Sequence, residues 1–523
     1  MIVHHKVNNG IVGDCDFPPN IELMGQARAF GVILPNTFHQ AIFDKELLRN
    51  DFKKYTLAYP WCPDQEALSL AYKAFRLNYQ PFLTATTIST EEAIERIDKT
   101  KSPGYPWNVH YKDKRHFIEN ERPLIDSILD QIYSGKKVKF KFRNKEYTDL
   151  YWNSSPKGEF RPLDKLINVD HSKRKTRVFL CGETISHIVN TKLYGEQNDN
   201  LLNAHKHGRW IQLGFSPFYG GWDRMTRRLI NGKITRIFNC WDFKHMEASI
   251  REKFFEMIYE ARHENIIFAF PEDQNCKKYA YGNNCYSYVI DVDGYLTQMV
   301  GNNPSGGLNT LTDNCQAVEL CFYYSLAKSC KTLPELLTKI DSHDCVILGD
   351  DSIVPDHPDF FNLKSDCLEL GFVLEPEILH VTIDKATFCN NTFINSDGLW
   401  LPSPNFDKIR SNIYYHFKKH SWRLCYIKCC AYRVLAWMFP HRIEAEKMCK
   451  YILEVHGRDM ISEVNPDVTY HSARSSFLPI KQIEFLWRGN ETLAPDFCKP
   501  SHCPYSPHNI DKFLKLVNFA LDL

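Results

Sequence analysis

Two adjacent carboxylates, Asp350 and Asp351, follow Gly349 and lie between the apolar runs 345–348 and 352–354. The pattern reads as a strand, a tight turn and a second strand, with the polar residues confined to the turn. Upstream, Asp242 closes a second apolar run, 236–241. If that run lies beside the hairpin, Asp242 and Asp350 could bridge two divalent ions about 4 Å apart, a geometry that activates an attacking hydroxyl and stabilises the leaving oxygens of a phosphoryl transfer. Magnesium is the expected ion, with manganese as a substitute, because carboxylate and phosphate oxygens suit a hard octahedral cation.

Three further segments carry chemistry. The loop Gly301-Asn302-Asn303-Pro304-Ser305-Gly306-Gly307 runs into a helix start, 308–314. Its glycines allow close approach to a ligand, and Ser305, Thr310 and Asn314 can hydrogen-bond it. Thr310 and Asn314 are four apart and share a helix face. A basic stretch, Lys157, Arg161, Lys165 and then Lys173-Arg174-Lys175-Thr176-Arg177, could neutralise a triphosphate or a departing pyrophosphate. The tail holds Cys498, His502, Cys503 and His508, four potential zinc ligands at a spacing unlike a standard finger.

The elements that position these groups are partly readable. Ser89-Thr90-Glu91-Glu92 predicts a helix start with an acidic first turn, and 123–133 a helix with proline in its first turn. Residues 135–143 alternate basic and apolar side chains, predicting an amphipathic strand with one cationic face. Long helices are expected around 185–205 and 360–371, a helical region over 414–439, and a last helix at 510–519. The rigid loop Lys101-Ser102-Pro103-Gly104-Tyr105-Pro106-Trp107 precedes the basic segments.

At 523 residues with 43% apolar content, the chain can bury a large core, and two to four domains are expected. Its 64 basic and 63 acidic residues leave a net charge of +1, so any nucleic-acid surface must be local. Eighteen cysteines without a secretory leader predict buried free thiols in a reducing compartment. No apolar run is long enough to span a bilayer; the longest candidate, 429–440, is interrupted by Arg433.

Taken in order, these segments resemble the RNA-dependent RNA polymerases of positive-strand RNA viruses, nearest the picornavirus- and calicivirus-like group. Ser102-Pro103-Gly104-Tyr105-Pro106 resembles the fingers loop along the template, and Lys157-Gly158-Glu159 through Arg177 the basic fingers motif. Asp242 with Glu247 is similar to the first palm motif, Pro304-Ser305-Gly306 with Thr310 and Asn314 to the second, and Gly349-Asp350-Asp351 to the third. The resemblance implies an α+β right-hand polymerase of fingers, palm and thumb, with the palm built on an antiparallel sheet flanked by helices and the fingers reaching across to the thumb. It assigns 1–199 to the fingers with their N-terminal fingertip region, 200–280 to the first part of the palm, 281–297 to a fingers insertion, 298–400 to the second part of the palm, and 401–523 to the thumb.

It also implies RNA-directed transfer of ribonucleotides to a 3′-hydroxyl, with RNA template, nascent RNA and ribonucleoside triphosphates as partners. Other viral replication proteins could join them, in replication complexes of the host cytoplasm. Asp242, Asp350 and Asp351 would be catalytic and metal-binding. Lys157, Lys165, Lys175, Arg177, Glu247, Ser305, Thr310 and Asn314 would bind nucleotide, and Ser102, Gly104, Pro106 and Gly306 the template.

The chain departs from the family pattern in places. Glu247 stands where aspartate is usual, one methylene longer. The family's general-acid lysine corresponds to Lys385, with Lys364 as alternative, and Phe388-Cys389-Asn390 to the hairpin that positions the primer end. Met1 differs from the processed glycine of some picornavirus enzymes. Reverse transcriptase is disfavoured, because Gly349 precedes the aspartates and Glu247 and Asn314 suit a 2′-hydroxyl. A metal-dependent nuclease leaves the basic segment without a purpose. The remaining alternative is a non-catalytic RNA-binding replication protein with a degenerate palm.

Overall fold

Alternation sets the central strand: Phe238 and Cys240 point into the core from Ile237–Phe243, and Asp242 continues their row at the end of the strand, where burial is only partial. This strand lies inside a four-stranded antiparallel sheet. The hairpin strands Val346–Leu348 and Asp351–Pro355 are on one side and Leu374–Thr382 on the other. The computed structural model describes residues 2–8, 10, 20–29, 38–41, 43–57, 60–170, 173–415, 421–463 and 469–489.

The helix Thr310–Ala327 is buried on nearly all sides, as an apolar helix must be when other helices surround it. It packs against Gln65–Leu83, Leu333–Ser342 and Leu363–Glu369. The last of these is shorter than the sequence predicts. A 3-10 turn, Pro358–Phe360, takes its first residues, and Gly371 at φ +85° ends the segment. The helix expected around 185–205 forms as Thr184–Leu201.

A second sheet has the strand order Ile2–Lys6, Tyr295–Gln298, Tyr288–Ile290, Trp152–Pro156, Val178–Cys181. The neighbouring helices match expectation. Thr90–Arg96 starts at Ser89, whose side chain accepts from the Glu92 amide, and Arg122–Tyr133 carries Pro123 in its first turn. The cationic strand over 135–143 is corrected. Val138, Phe140 and Phe142 do point inward, but only Phe140–Phe142 pairs, with Lys145–Tyr147, through a turn in which Arg143 and Asn144 both have positive φ. The lysines before it lie outside any ladder.

The C-terminal part is helical: Phe406–Tyr414, Trp422–Leu435, His441–Ser462, Tyr470–Ser475 and Ile480–Arg488. Leu23 and Ala27 of the helix Ile21–Ala29 are part of its core, beside Cys425, Met448 and Ile452. The strand Phe38–Gln40 pairs with Phe160–Pro162 while the Phe38 carbonyl accepts from Ser411 Oγ at 3.3 Å, so the N-terminal segment joins the second sheet's side of the molecule to the C-terminal helices. The cysteines among the described residues are free thiols, as expected. Among those residues no helix is long and apolar enough to cross a membrane. The Cys498, His502, Cys503 and His508 cluster and the helix expected at 510–519 lie outside the described residues.

Candidate active site

Asp242 stands in register with Asp351 on one neighbouring strand and with Glu375 on the other. Directly opposed residues of antiparallel strands share a face, with β-carbons about 5 Å apart. Asp350 caps the turn, which Gly349 makes possible at φ +65°, its amide donating to Cys315 Sγ at 3.1 Å. The sheet thus gathers at one end the three carboxylates the sequence singled out.

Their electrostatics describe a site short of positive charge. Burial, then the charges of Asp350 and Glu377, push the Asp242 carboxyl up to about 6. Burial, then Asp350, Glu377 and Asp242, push Asp351 up to about 7. Asp350 is raised too, by burial and Glu247, against the opposing pull of Arg177 and Lys157. Crowded hard-oxygen donors that repel one another fit a divalent cation, which would be held by Asp242, Asp350 and Asp351.

Glu377 was not anticipated. It sits at a register shift of Leu374–Thr382 and accepts from Thr387 Oγ1 at 2.9 Å. The acid pair Glu375 and Glu377, two apart on a strand, was the available signal. Beyond it, Thr387–Phe388 and Asn391–Ser396 form the expected hairpin, turned by Cys389 and Asn390 at positive φ, and the Cys389 thiol bonds Asp351. His343, His357 and Asp359 also bring donor atoms within 4.8 Å of one another, at the open end of the hairpin far from Asp350.

The basic wall is organised by Glu159. Arg177 Nε donates to its Oε1 at 2.8 Å, a second guanidinium nitrogen to its Oε2, and Arg161 lies 3.3 Å away. Arg177 and Lys157 are both exposed, joined through the Lys157 amide and the Arg177 carbonyl at 2.8 Å, and both act on Asp350. Lys175 and Lys165 are exposed and linked by one backbone hydrogen bond. Arg161 and Lys408, the latter from the C-terminal helices, extend this patch.

Opposite it, Asn303 ties the hydroxyl-binding candidates together. Its amide donates to the Glu247 carbonyl at 2.7 Å, and its Nδ2 to Asn314 Oδ1 at 2.9 Å and to the Thr310 carbonyl at 3.0 Å. Thr310 spends its hydroxyl within the loop, on the Pro304 and Gly307 carbonyls. Ser305 lies beside the buried Tyr55 hydroxyl, which makes no well-formed hydrogen bond.

The template candidates divide. Ser102 is exposed, whereas Gly104 and Pro106 are buried, and Pro103 anchors their loop by accepting from the Thr184 amide and hydroxyl. Gly306 donates to the Leu180 carbonyl at 2.7 Å, and a β-carbon there would stand 2.4 Å from that oxygen. Gly306→Ala is therefore expected to displace the loop at a cost of about 1–3 kcal/mol. Thermal unfolding and the KM for nucleotide would both shift; an unchanged KM would show that the loop does not touch substrate. Lys385 is exposed on the turn Ile383–Lys385, after a strand whose last register pair, Thr382 with Ile237, is remote from Asp242; Lys364 is exposed on Leu363–Glu369.

A family model described as viral RNA-dependent RNA polymerase matches residues 46–456. The chain belongs to the viral RNA-dependent RNA polymerase family. The matched span includes every element of the site just described. Relatives of this polymerase chain include the non-structural polyprotein 1AB of Mink astrovirus 1, 24% identical over 475 residues, which are 87% of this chain and 32% of that polyprotein. The genome polyprotein of Beet mosaic virus is 23% identical over 430 residues, 82% of this chain and 12% of that one. The chain thus spans about a third of the first and about an eighth of the second. Among solved structures, the Sicinivirus 3Dpol RNA dependent RNA polymerase superposes with a TM-score of 0.62 at 16% identity, covering 86% of this chain and 93% of that one. The fold is therefore that of a right-hand polymerase, with the Asp242 sheet as its palm.

Proposed function

We propose that this polymerase copies RNA by adding ribonucleotides to a 3′-hydroxyl and releasing pyrophosphate, in viral genome replication. The observation that carries the reading is the in-register pair Asp242 and Asp351 beside Asp350, facing Lys157 and Arg177. Asp242, Asp350 and Asp351 would hold magnesium, which would supply activation of the hydroxyl and neutralisation of charge at the α-phosphate. Lys157, Lys165, Lys175 and Arg177 bind the triphosphate, and Arg177 reaches it with the guanidinium edge that Glu159 leaves open. Glu247, Ser305 and Asn314 read the ribose, with Thr310 holding their loop in shape. The Ser102 loop and the Gly306 turn bound the template path, while Lys385, beyond the strand end that pairs with Ile237, is too far from Asp242 to serve as the general acid.

The division proposed is fingers over 1–199 and 281–297, palm over 200–280 and 298–400, and thumb over 401–523. Viral replication proteins of the host cytoplasm are the proposed partners.

Asn314→Ala is expected to lower discrimination between a ribonucleotide and its deoxy analogue about tenfold, since the 2′-hydroxyl loses a polar partner. Competing incorporation of the two on one template measures it; an unaltered ratio would remove Asn314 from the ribose pocket. The reading as a whole is tested by extension on a defined RNA template, with and without primer, in magnesium and after chelation. Metal-dependent ribonucleotide products are expected. Folded protein that binds RNA and extends nothing would instead be a non-catalytic RNA-binding replication protein.

A further inference from the structure

The 3-10 turn Lys53–Thr56, which follows the helix Lys45–Phe52, lies beneath the ribose-reading face of the site. Lys54 is 5% exposed, a rare degree of burial for a lysine without a role for its charge. Its ammonium lies 2.7 Å from Glu247 Oε1 and 3.1 Å from Asp51 Oδ2, and donates to the Val178 carbonyl at 3.1 Å. Asp51 in turn accepts from the Val178 amide at 2.7 Å. Lys54 and Asp51 together therefore hold both backbone polar groups of the residue that follows Arg177. The next residue of the turn, Tyr55, lies beside Ser305.

Two groups assigned above to nucleotide handling thus rest on this short segment, and a third lies against it. Glu247 is gripped through its carboxylate and Arg177 through the peptide after it, while Ser305 is a neighbour of Tyr55. The longer side chain of Glu247, compared with the aspartate usual there, has one more rotatable bond, and an ion pair is a direct way to fix it. Without Lys54, the half-buried carboxylate would lose the one ammonium in contact with it, and the Arg177 guanidinium that also favours its charge lies on the phosphate side of the pocket.

We propose that Lys54 is a positioning residue for substrate selection: its ammonium fixes the Glu247 carboxylate against the ribose hydroxyls and locks that setting to Val178, the residue that follows Arg177. The inference rests on the reading of Glu247 as a ribose contact. It assigns a role in nucleotide selection to a segment remote in sequence from the palm motifs.

The test is single-nucleotide extension by full-length protein carrying Lys54→Met, which keeps length and burial but removes the charge, and by Lys54→Arg. Lys54→Met is expected to raise the KM for a ribonucleotide about tenfold with kcat changed far less, and to leave the KM for the deoxy analogue nearly unmoved. Discrimination between the two sugars falls by the same factor. Lys54→Arg, which retains the charge, is expected to recover much of the difference. In a Glu247→Gln background, Lys54→Met should have little further effect on discrimination, because coupled residues are not additive.

Equal increases in KM for both sugars, or additive effects in the double variant, would reduce Lys54 to a packing residue and overturn the proposal. Should Lys54→Met fail to fold, the Arg variant and the Glu247→Gln pair carry the same comparison. Failure of the underlying polymerase reading looks different: the parent protein itself would extend no RNA. An active parent with unaltered sugar discrimination in Lys54→Met refutes the inference about Lys54 alone.

Discussion

Asp350→Asn is expected to lower the rate of nucleotide incorporation by about three orders of magnitude. It is also expected to raise the melting temperature of the metal-free protein. Both effects have the same origin. Asparagine keeps the shape of the turn residue and removes the charge that, after burial, acts most strongly on Asp242 and on Asp351. A cation then loses a ligand, while the fold loses a repulsion it otherwise carries.

The sign of the stability change follows from linkage. Carboxyls whose folded pKa lies above the unfolded value stabilise the fold at low pH and lose that contribution as pH rises through the folded value. With Asp242 near 6 and Asp351 near 7 against an ordinary value of 3.8, the parent protein without metal should weaken from about pH 4 to about pH 7. The gain from Asp350→Asn should accordingly be greatest at pH 8, about 2 °C for a chain of this size, and vanish near pH 4. Thermal scans in chelator at the two pH values, alongside single-turnover extension in magnesium, measure both. A variant that melts lower than the parent at pH 8 would show that Asp350 is held by favourable contacts and is not under strain from its neighbours.

The second large effect is on metal dependence. Protons and magnesium compete for the same oxygens, so the apparent metal affinity must fall as these carboxyls take up protons. Between pH 8 and pH 6 a group at about 7 loses roughly tenfold of its ionised fraction and a group at about 6 loses roughly twofold. The magnesium concentration for half-maximal extension should therefore rise about twentyfold over that interval. Excess magnesium should return the rate toward its value at pH 8. Titrating the metal at each pH separates this from any pH dependence of the chemistry itself. A half-saturating concentration that stays constant would mean that Asp242 and Asp351 are ionised throughout, or that they do not hold the metal.

The core of the site was legible because it is written in local pattern. Alternation through 236–241 and 345–354 placed Asp242, Asp350 and Asp351 at strand ends and a turn, and the four-residue spacing of Thr310 and Asn314 placed both on one helix. Ser89 announced its helix by capping it. What could not be read is contact between distant segments. Nothing near Lys54 distinguishes it from its neighbour Lys53, and only the fold brings it to Glu247. Asn303 carries no local signal of its role, and only the fold brings its side chain to Asn314. The strand expected over 135–143 had the right inward residues, but pairing depends on a partner, and the partner reaches only as far as Phe140. The resemblance implies template contacts for Gly104 and Pro106, yet both are buried within their own loop.

Ile21–Ala29 and Phe38–Gln40 tie two parts of the molecule together, since Leu23 and Ala27 dock among the C-terminal helices while Phe38–Gln40 pairs with Phe160–Pro162. Under the function proposed above, such a tie would constrain how RNA enters. A strand passing between the tied parts would have to be threaded by a free end, as through the eye of a needle, unless Leu23 and Ala27 first left their sockets. It would then leave only by running off its terminus. Persistence on a long template would come from that linkage and would not require tight grip at any single contact.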